Sequence, residues 1–341
     1  MSVVNDLHTE ENSVPFQIVK GPAFRLLQAL NDKRQAAIDE SVMAPDVKDW
    51  INNTVDLKHL DNPDFSVDVA SHVTCLTFSS DVNAVYTVRQ LVEAGCDVRV
   101  RDTLGRTPLH TACLSDVDAH GKVVYLLQRD ASLVNATDHS NDAPLHKAAQ
   151  EGKNDVAKTL LDHGADVNAR GRQGRAALHA ACMRGHVPCT HDLMARGAQV
   201  EARDSARVKT PHHLAAGLNQ PDSVKILVDV YNASVNATDK QGNNALHWAA
   251  LKGHAEVVKT LLSFDDCDVD AKGLWGRTAL HYACQNDHFV CIHELIAGGA
   301  EIEARSSDQA TPLHLAADFN RPDTVKTLVD VYKASVNTTN S

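Results

Sequence analysis

The sequence predicts an all-α solenoid, a stack of helix-turn-helix units behind a helical N-terminal block. Two observations predict it. A four-residue phrase recurs as Thr107-Pro108-Leu109-His110, Ala143-Pro144-Leu145-His146, Ala176-Ala177-Leu178-His179, Thr210-Pro211-His212-His213, Asn244-Ala245-Leu246-His247, Thr278-Ala279-Leu280-His281 and Thr311-Pro312-Leu313-His314. Its histidines lie 36, 33, 34, 34, 34 and 33 residues apart, a period typical of stacked helical repeats. Each phrase also opens a run of apolar residues at helical spacing, and glycine or asparagine closes the run. Alanine and leucine carry the burial, because aromatic residues make up only 4% of the chain.

Taken in order, residues 1–20 read as unstructured and 21–71 as a helical cap, with Phe24, Leu27, Leu30, Ile38, Val47, Trp50 and Ile51 as its apolar positions. Residues 72–101 read as a degenerate first repeat. Thr74 to Ser80 stand where a first helix belongs, and Val88 to Asp97 resemble a second helix with its glycine at Gly95. Terminal units are expected to be atypical, since one face must meet solvent. Seven repeats occupy 102–337, and a tail of 338–341 follows.

The second repeat illustrates the physics. Pro144 at the first helical position loses nothing by lacking an N–H. Leu145, Ala148 and Ala149 share one face, and Gly152 ends the helix. Val156, Leu160 and Leu161 form the buried face of a second helix, which stops at Gly164. Asn219 and Asn320 stand in for the first glycine elsewhere, and Asp287 is a poorer substitute that predicts a weaker repeat six. The extra residues of repeat one, around Asp116 to Gly121, predict a longer loop between its helices. A longer period is superimposed. Lys225 to Tyr231 nearly recurs as Lys326 to Tyr332, three repeats on, and Cys182 and Cys189 recur as Cys284 and Cys291.

This wording resembles the ankyrin repeat over residues 72–337. The resemblance implies β-hairpin fingers between units, a histidine that holds the turns together by hydrogen bonds, and a non-catalytic role in binding protein partners. It also weighs against a metal site. His179, Cys182, His186 and Cys189, like His281, Cys284, His288 and Cys291, have donor types that zinc accepts. In the repeat alignment, however, the cysteines fall on core positions and the histidines on repeat positions. No phosphate loop, nucleophile elbow or paired-carboxylate motif is present. Neither enzyme activity, cofactor nor metal is expected.

In ankyrin-like stacks, partners touch the finger tips and the exposed ends of the first helices. Mapped onto this chain, those places hold Arg172, Arg175 and Arg184 in repeat three, and Arg207, Lys209 and Leu218 in repeat four. Repeat five contributes Lys240, Leu251 and Lys252, repeat six Trp275 and Arg277, and repeat seven Phe319. They form a basic stripe with apolar anchors, in which Trp275 is the most conspicuous, because Trp and Arg dominate interface hot spots. Trp248, next to the repeat histidine, is expected to pack. Asn168 has Leu160 eight residues before it and Asp166 two before it, wording that resembles the substrates of an asparaginyl hydroxylase.

A net charge of −11 argues against nucleic acid as a partner. No apolar run approaches the about 18 residues that predict a membrane span. Eight cysteines without a visible signal peptide suggest a reducing, cytoplasmic or nuclear setting. The expected function is a scaffold or adaptor that binds an extended, acidic protein segment on the concave face. A regulatory, inhibitory or substrate-receptor subunit of an enzyme complex is the alternative, as is a structural segment of a larger membrane-linked or cytoskeletal protein.

Overall fold

A computed structural model of the chain describes Thr77, Ser80, residues 85–93 and residues 96–338. The segments 1–20 and 21–71, most of 72–84, Gly95 and residues 339–341 lie outside the described residues. The chain divides into a unit of residues 1–65 and a unit of residues 66–341, and all the described residues belong to the second.

Among the described residues the secondary structure is helical. Helix α1 spans Val85–Glu93. Seven helix pairs follow: α2 Pro108–Leu114 with α3 Ala119–Arg129, α4 Pro144–Gln150 with α5 Asn154–Asp162, and α6 Ala177–Met183 with α7 Val187–Ala195. Next come α8 Pro211–Gly217 with α9 Pro221–Asp229, and α10 Ala245–Lys252 with α11 Ala255–Leu262. The last pairs are α12 Ala279–Gln285 with α13 Phe289–Ala297, and α14 Pro312–Asp318 with α15 Pro322–Asp330. The first helices pack on one another as an inner row from α2 to α14, and the second helices as an outer row from α1 to α13. Between the rows, Leu109, Leu145, Leu178, Leu246 and Leu280 face Leu126, Leu160, Leu193, Leu227 and Leu261, all fully buried. Each such burial is worth roughly 1.5–3 kcal/mol. Alanines between them, such as Ala148, Ala149, Ala181 and Ala249, let the inner helices approach closely.

The repeat histidine joins each unit to the next. In repeat one, the Thr107 N–H donates to Nδ1 of His110 at 3.1 Å. Nδ1 is therefore an acceptor, so the ring proton sits on Nε2, which donates to the Asp142 carbonyl of repeat two at 3.0 Å. The same relay runs from His146 to Arg175, His179 to Lys209, His213 to Asn243, His247 to Arg277 and His281 to Ala310, at 3.1, 3.4, 3.2, 3.1 and 3.0 Å. In each case the acceptor is the residue just before the next helix cap. A second set of histidines reaches backward. His186, His254 and His288 donate to the carbonyls of Gln150, Gly217 and Leu251, at 3.0–3.2 Å, near the end of the preceding inner helix. Gly152 and Gly253 make room for two of these rings, since a Cβ there would lie 2.4 and 2.7 Å from the imidazole of His186 and of His288.

The fingers are tight turns rather than β hairpins; no strand pairing occurs among the described residues. A backbone hydrogen bond between its first and last residues closes each, as from Asp102 N–H to Arg106 O or from Asp239 N–H to Asn243 O. A buried aspartate nucleates most of them. Asp102, Asp138 and Asp239 each accept two backbone N–H bonds within their own finger. Arginines staple the finger bases: Arg170 donates to Gly174 O and Arg203 O, and Arg203 to Val208 O and Thr238 O.

Three expectations are refined. Repeat one is longer by one residue between its helices and by two within α3, so most of the insertion is helix and not loop. Asn219 and Asn320 hold the left-handed conformation expected of them, at φ 57° and 53°. Asp287 does the same at φ 64°, with the Thr324 hydroxyl of repeat seven donating to its carboxylate at 2.6 Å. Ahead of repeat one, the buried Lys122 donates to Ser80 O and Ser115 Oγ, a link between the degenerate unit and the stack that the sequence alone does not suggest.

The neutral histidine relay predicts a pH dependence. Burial pushes the relay rings His110, His179, His247 and His281 down to about 4, from an ordinary value of 6.5. The unfolded chain therefore binds more protons between those values. The stabilisation is complete above pH 6.5 and is lost as pH falls toward 4, at of the order of 1 kcal/mol per pH unit for each histidine. Urea midpoints at pH 7 and pH 5 should differ markedly; equal midpoints would show that these rings are not held neutral by burial.

Candidate protein-interaction surface

The side chains expected to bind fall on three adjoining rows. The finger tips carry Arg172, Arg207, Lys240 and Trp275. The residues just before the helix caps are Arg175, Lys209 and Arg277. The ends of the inner helices carry Arg184, Leu218, Leu251, Lys252 and Phe319. Neighbouring fingers are tied tip to tip, which fixes the first row. Gln173 O accepts from Ser205 N–H at 2.7 Å, Arg207 O from Lys240 N–H at 2.9 Å, and Trp275 O from Ser307 N–H at 2.8 Å.

Exposure divides the set. Arg172, Arg184 and Lys240 are exposed and Lys252 is half-buried, and none of the four forms an ion pair among the described residues. Some cations elsewhere are engaged, Arg106 with Asp102, Lys147 with Asp138 and Asp142, Lys153 with Asp116, and Arg196 with Asp162, whereas Lys225, Lys259 and Lys326 on the second helices are exposed and form no ion pair among the described residues. Leu218, Phe319 and Trp275 are 40%, 45% and 52% exposed, and Leu251 is half-buried. Arg175, Arg207 and Arg277 are half-buried, and Arg175 faces Asp204 at 3.7 Å.

Lys209 does not belong to the exposed stripe. It is 7% exposed, and its Nζ lies 3.6 Å from the centroid of the buried Trp248 ring. The Trp248 indole N–H donates to Asp239 at 3.0 Å, and the Arg207 guanidinium stands 5.9 Å from the same ring. Burial, then repulsion from Arg207, pushes the Lys209 amine down to about 8. The pre-cap position turns inward here because the next repeat places an aromatic residue after its histidine. A lysine before the cap, paired with a tryptophan 39 residues later, is the sequence signal for this cluster. Tyr282 fills the Trp248 position in repeat six, and its hydroxyl donates to Leu274 O at 3.3 Å.

The remaining candidates are structural in placement. Asn168 is half-buried; its amide donates to Gly197 O and its carbonyl accepts from Gln199 N–H, at 3.0 and 2.9 Å. Asn135 and Asn236 bridge their units in the same way. Cys182 and Cys189 are buried, with thiols pushed up to about 12 by burial, and Cys284 and Cys291 are buried likewise. No group of three or more His, Cys, Asp or Glu side chains converges on a metal position among the described residues. No described helix is long and apolar enough to cross a membrane.

Comparison with known proteins agrees with this architecture. The family description "Ankyrin repeats (3 copies)" matches residues 71–171, 120–204, 178–273 and 265–340. The chain belongs to the ankyrin-repeat family, whose stacks form protein–protein interaction domains and are typically non-catalytic. Human neurogenic locus notch homolog protein 1 is 30% identical over 171 residues and human notch homolog protein 2 is 32% identical over 173. Each match covers 47% of this chain but only 7% of the relative. The crystal structure of the human ASB11 ankyrin repeat domain superposes with a TM-score of 0.60 at 26% identity, covering 68% of this chain and all of that one.

The Lys209 cluster generates a stability prediction. Lys209→Met keeps the packed stem and removes a cation–π contact of roughly 0.5–2 kcal/mol. Lys209→Glu sets a carboxylate against the negative ring face beside Asp239, and should lower the denaturation midpoint considerably further. Comparable midpoints for the two variants would show that the amine is solvated rather than packed.

Proposed function

We propose that this chain is a non-catalytic scaffold or adaptor in the cytoplasm or nucleus, holding an extended, acidic protein segment along repeats three to six. The observation that carries the reading is the placement of Arg172, Arg184, Lys240 and Lys252. On a chain of net charge −11, four cations without ion-pair partners among the described residues stand on the fingers and inner-helix ends of repeats three and five. Solvated cations there raise the encounter rate with an acidic chain and discriminate against basic ones. Leu218, Leu251 and Phe319 add apolar contacts beside them. A preformed surface also avoids much of the ordering cost of association.

The triple variant Arg184→Glu, Lys240→Glu, Lys252→Glu tests the reading, because these residues lie outside the core. Wild-type protein should bind poly-glutamate with an affinity that falls steeply with salt, and should capture the same cellular proteins in repeated purifications. The variant should lose both while keeping its melting temperature. Undiminished binding by the variant would refute the acidic-segment reading.

A further inference from the structure

The three-repeat duplication supplies an internal control for repeat six. The fingers of repeats three and six share one backbone. Gly171 and Gly273 replace the aspartate that nucleates other fingers, and its work passes to the preceding repeat. Asp142 Oδ1 accepts from Arg172 N–H at 2.8 Å, and Asn243 Oδ1 accepts from Leu274 N–H at 3.0 Å. The glycines are required, since a Cβ at either would come within 2.2 Å of that oxygen. Both fingers then make a short 3-10 turn, Arg172–Gly174 and Leu274–Gly276. Their tips are Gln173 and Trp275, in the left-handed region at φ 57° and 59°. Each tip carbonyl accepts a bond from the following finger.

On that shared frame the side chains diverge. Arg175 faces the carboxylate of Asp204, whereas the position equivalent to Asp204 in repeat seven is Ser306. Arg277 makes no ion pair among the described residues, although its charge reaches the Asp308 carboxylate two residues beyond Ser306 and helps hold it low. Its Nη1 donates to Gln285 at 3.0 Å and its guanidinium carbon lies 4.8 Å from the centroid of Trp275. Its Nε is buried without a hydrogen bond among the described residues; the Nε of Arg175 is buried too, 3.7 Å from Asp204. Beside Arg277, a large aromatic ring is 52% exposed, on a tip whose left-handed backbone is shared with Gln173 and so belongs to the turn itself.

We infer that the repeat-six finger is the anchor of the interaction surface, and that it takes an acidic side chain flanked by an apolar one from the partner segment. The acid meets Arg277 and the apolar group packs on Trp275. The matching finger of repeat three, with Gln173 at its tip and Arg175 already facing a carboxylate, lacks this pair and offers only the charge of Arg172. This inference rests on the acidic-segment reading and gives that segment a fixed point and a local sequence character.

The test uses a random linear peptide library displayed on phage, selected on the full chain. Enriched peptides should share an acid next to an aromatic or aliphatic residue. Their synthetic versions should bind Trp275→Ala and Arg277→Gln at least about tenfold more weakly, and bind Gln173→Ala as they bind wild type. Replacing the peptide acid by its amide should weaken binding to wild type but not to Arg277→Gln. Melting temperatures of the three variants should match wild type. Failure of any peptide to enrich, enrichment without an acid, or equal binding to wild type and Arg277→Gln would overturn the inference. If those peptides instead depend on Arg184, Lys240 and Lys252, the broader reading stands and the anchor alone is refuted.

Discussion

Each helix pair in this chain is too small to bury its own apolar face, so everything depends on what fastens one pair to the next. The neutral histidine relay is that fastening. One nitrogen accepts the N–H of the helix cap in its own unit, and the other donates to the carbonyl that precedes the following cap. A single ring thus satisfies a helix start and sets the register of the next finger. Leucines and alanines supply the larger energy, but they are non-directional. The histidine adds direction, and the backward-pointing His186, His254 and His288 add it again from the other side.

That fastening uses the backbone of the tips and inner-helix ends and leaves most of their side chains free of structural duty, which is why the chemistry of recognition can vary there from unit to unit. The constraint is still felt. A finger tip can present an unusual side chain only where the turn beneath it is supported, and Asn243 supports the turn under Trp275 from the neighbouring repeat. The buried cluster of Lys209, Trp248 and Asp239 shows the opposite outcome, in which charge at the same pre-cap row is absorbed by the stack.

The fold was legible in the sequence because its signals are local. Thr-Pro at the helix start, glycine or asparagine at its end, and leucine at helical spacing each act within a few residues. The histidine slot was legible as a slot, and its partners became visible only with the carbonyls of the next unit in place. The surface was less legible. Lys209 reads as a basic surface residue until Trp248 is brought beneath it from 39 residues away. The fingers read as β hairpins, whereas a buried aspartate closing a turn of a few residues leaves no length for strand pairing. Arg277 and Arg175 occupy equivalent positions and differ through Ser306 and Asp204, residues of the following finger that no local pattern connects to them.

The central claim is that each unit is fastened to the next by a neutral histidine protonated on Nε2. Nitrogen-15 correlation spectra of the histidine rings, recorded across a pH titration, measure this directly. The account predicts that His110, His179, His247 and His281 show the Nε2–H tautomer at neutral pH and remain uncharged to about pH 4. Rings that carry the proton on Nδ1, or that titrate near the ordinary 6.5, would contradict it.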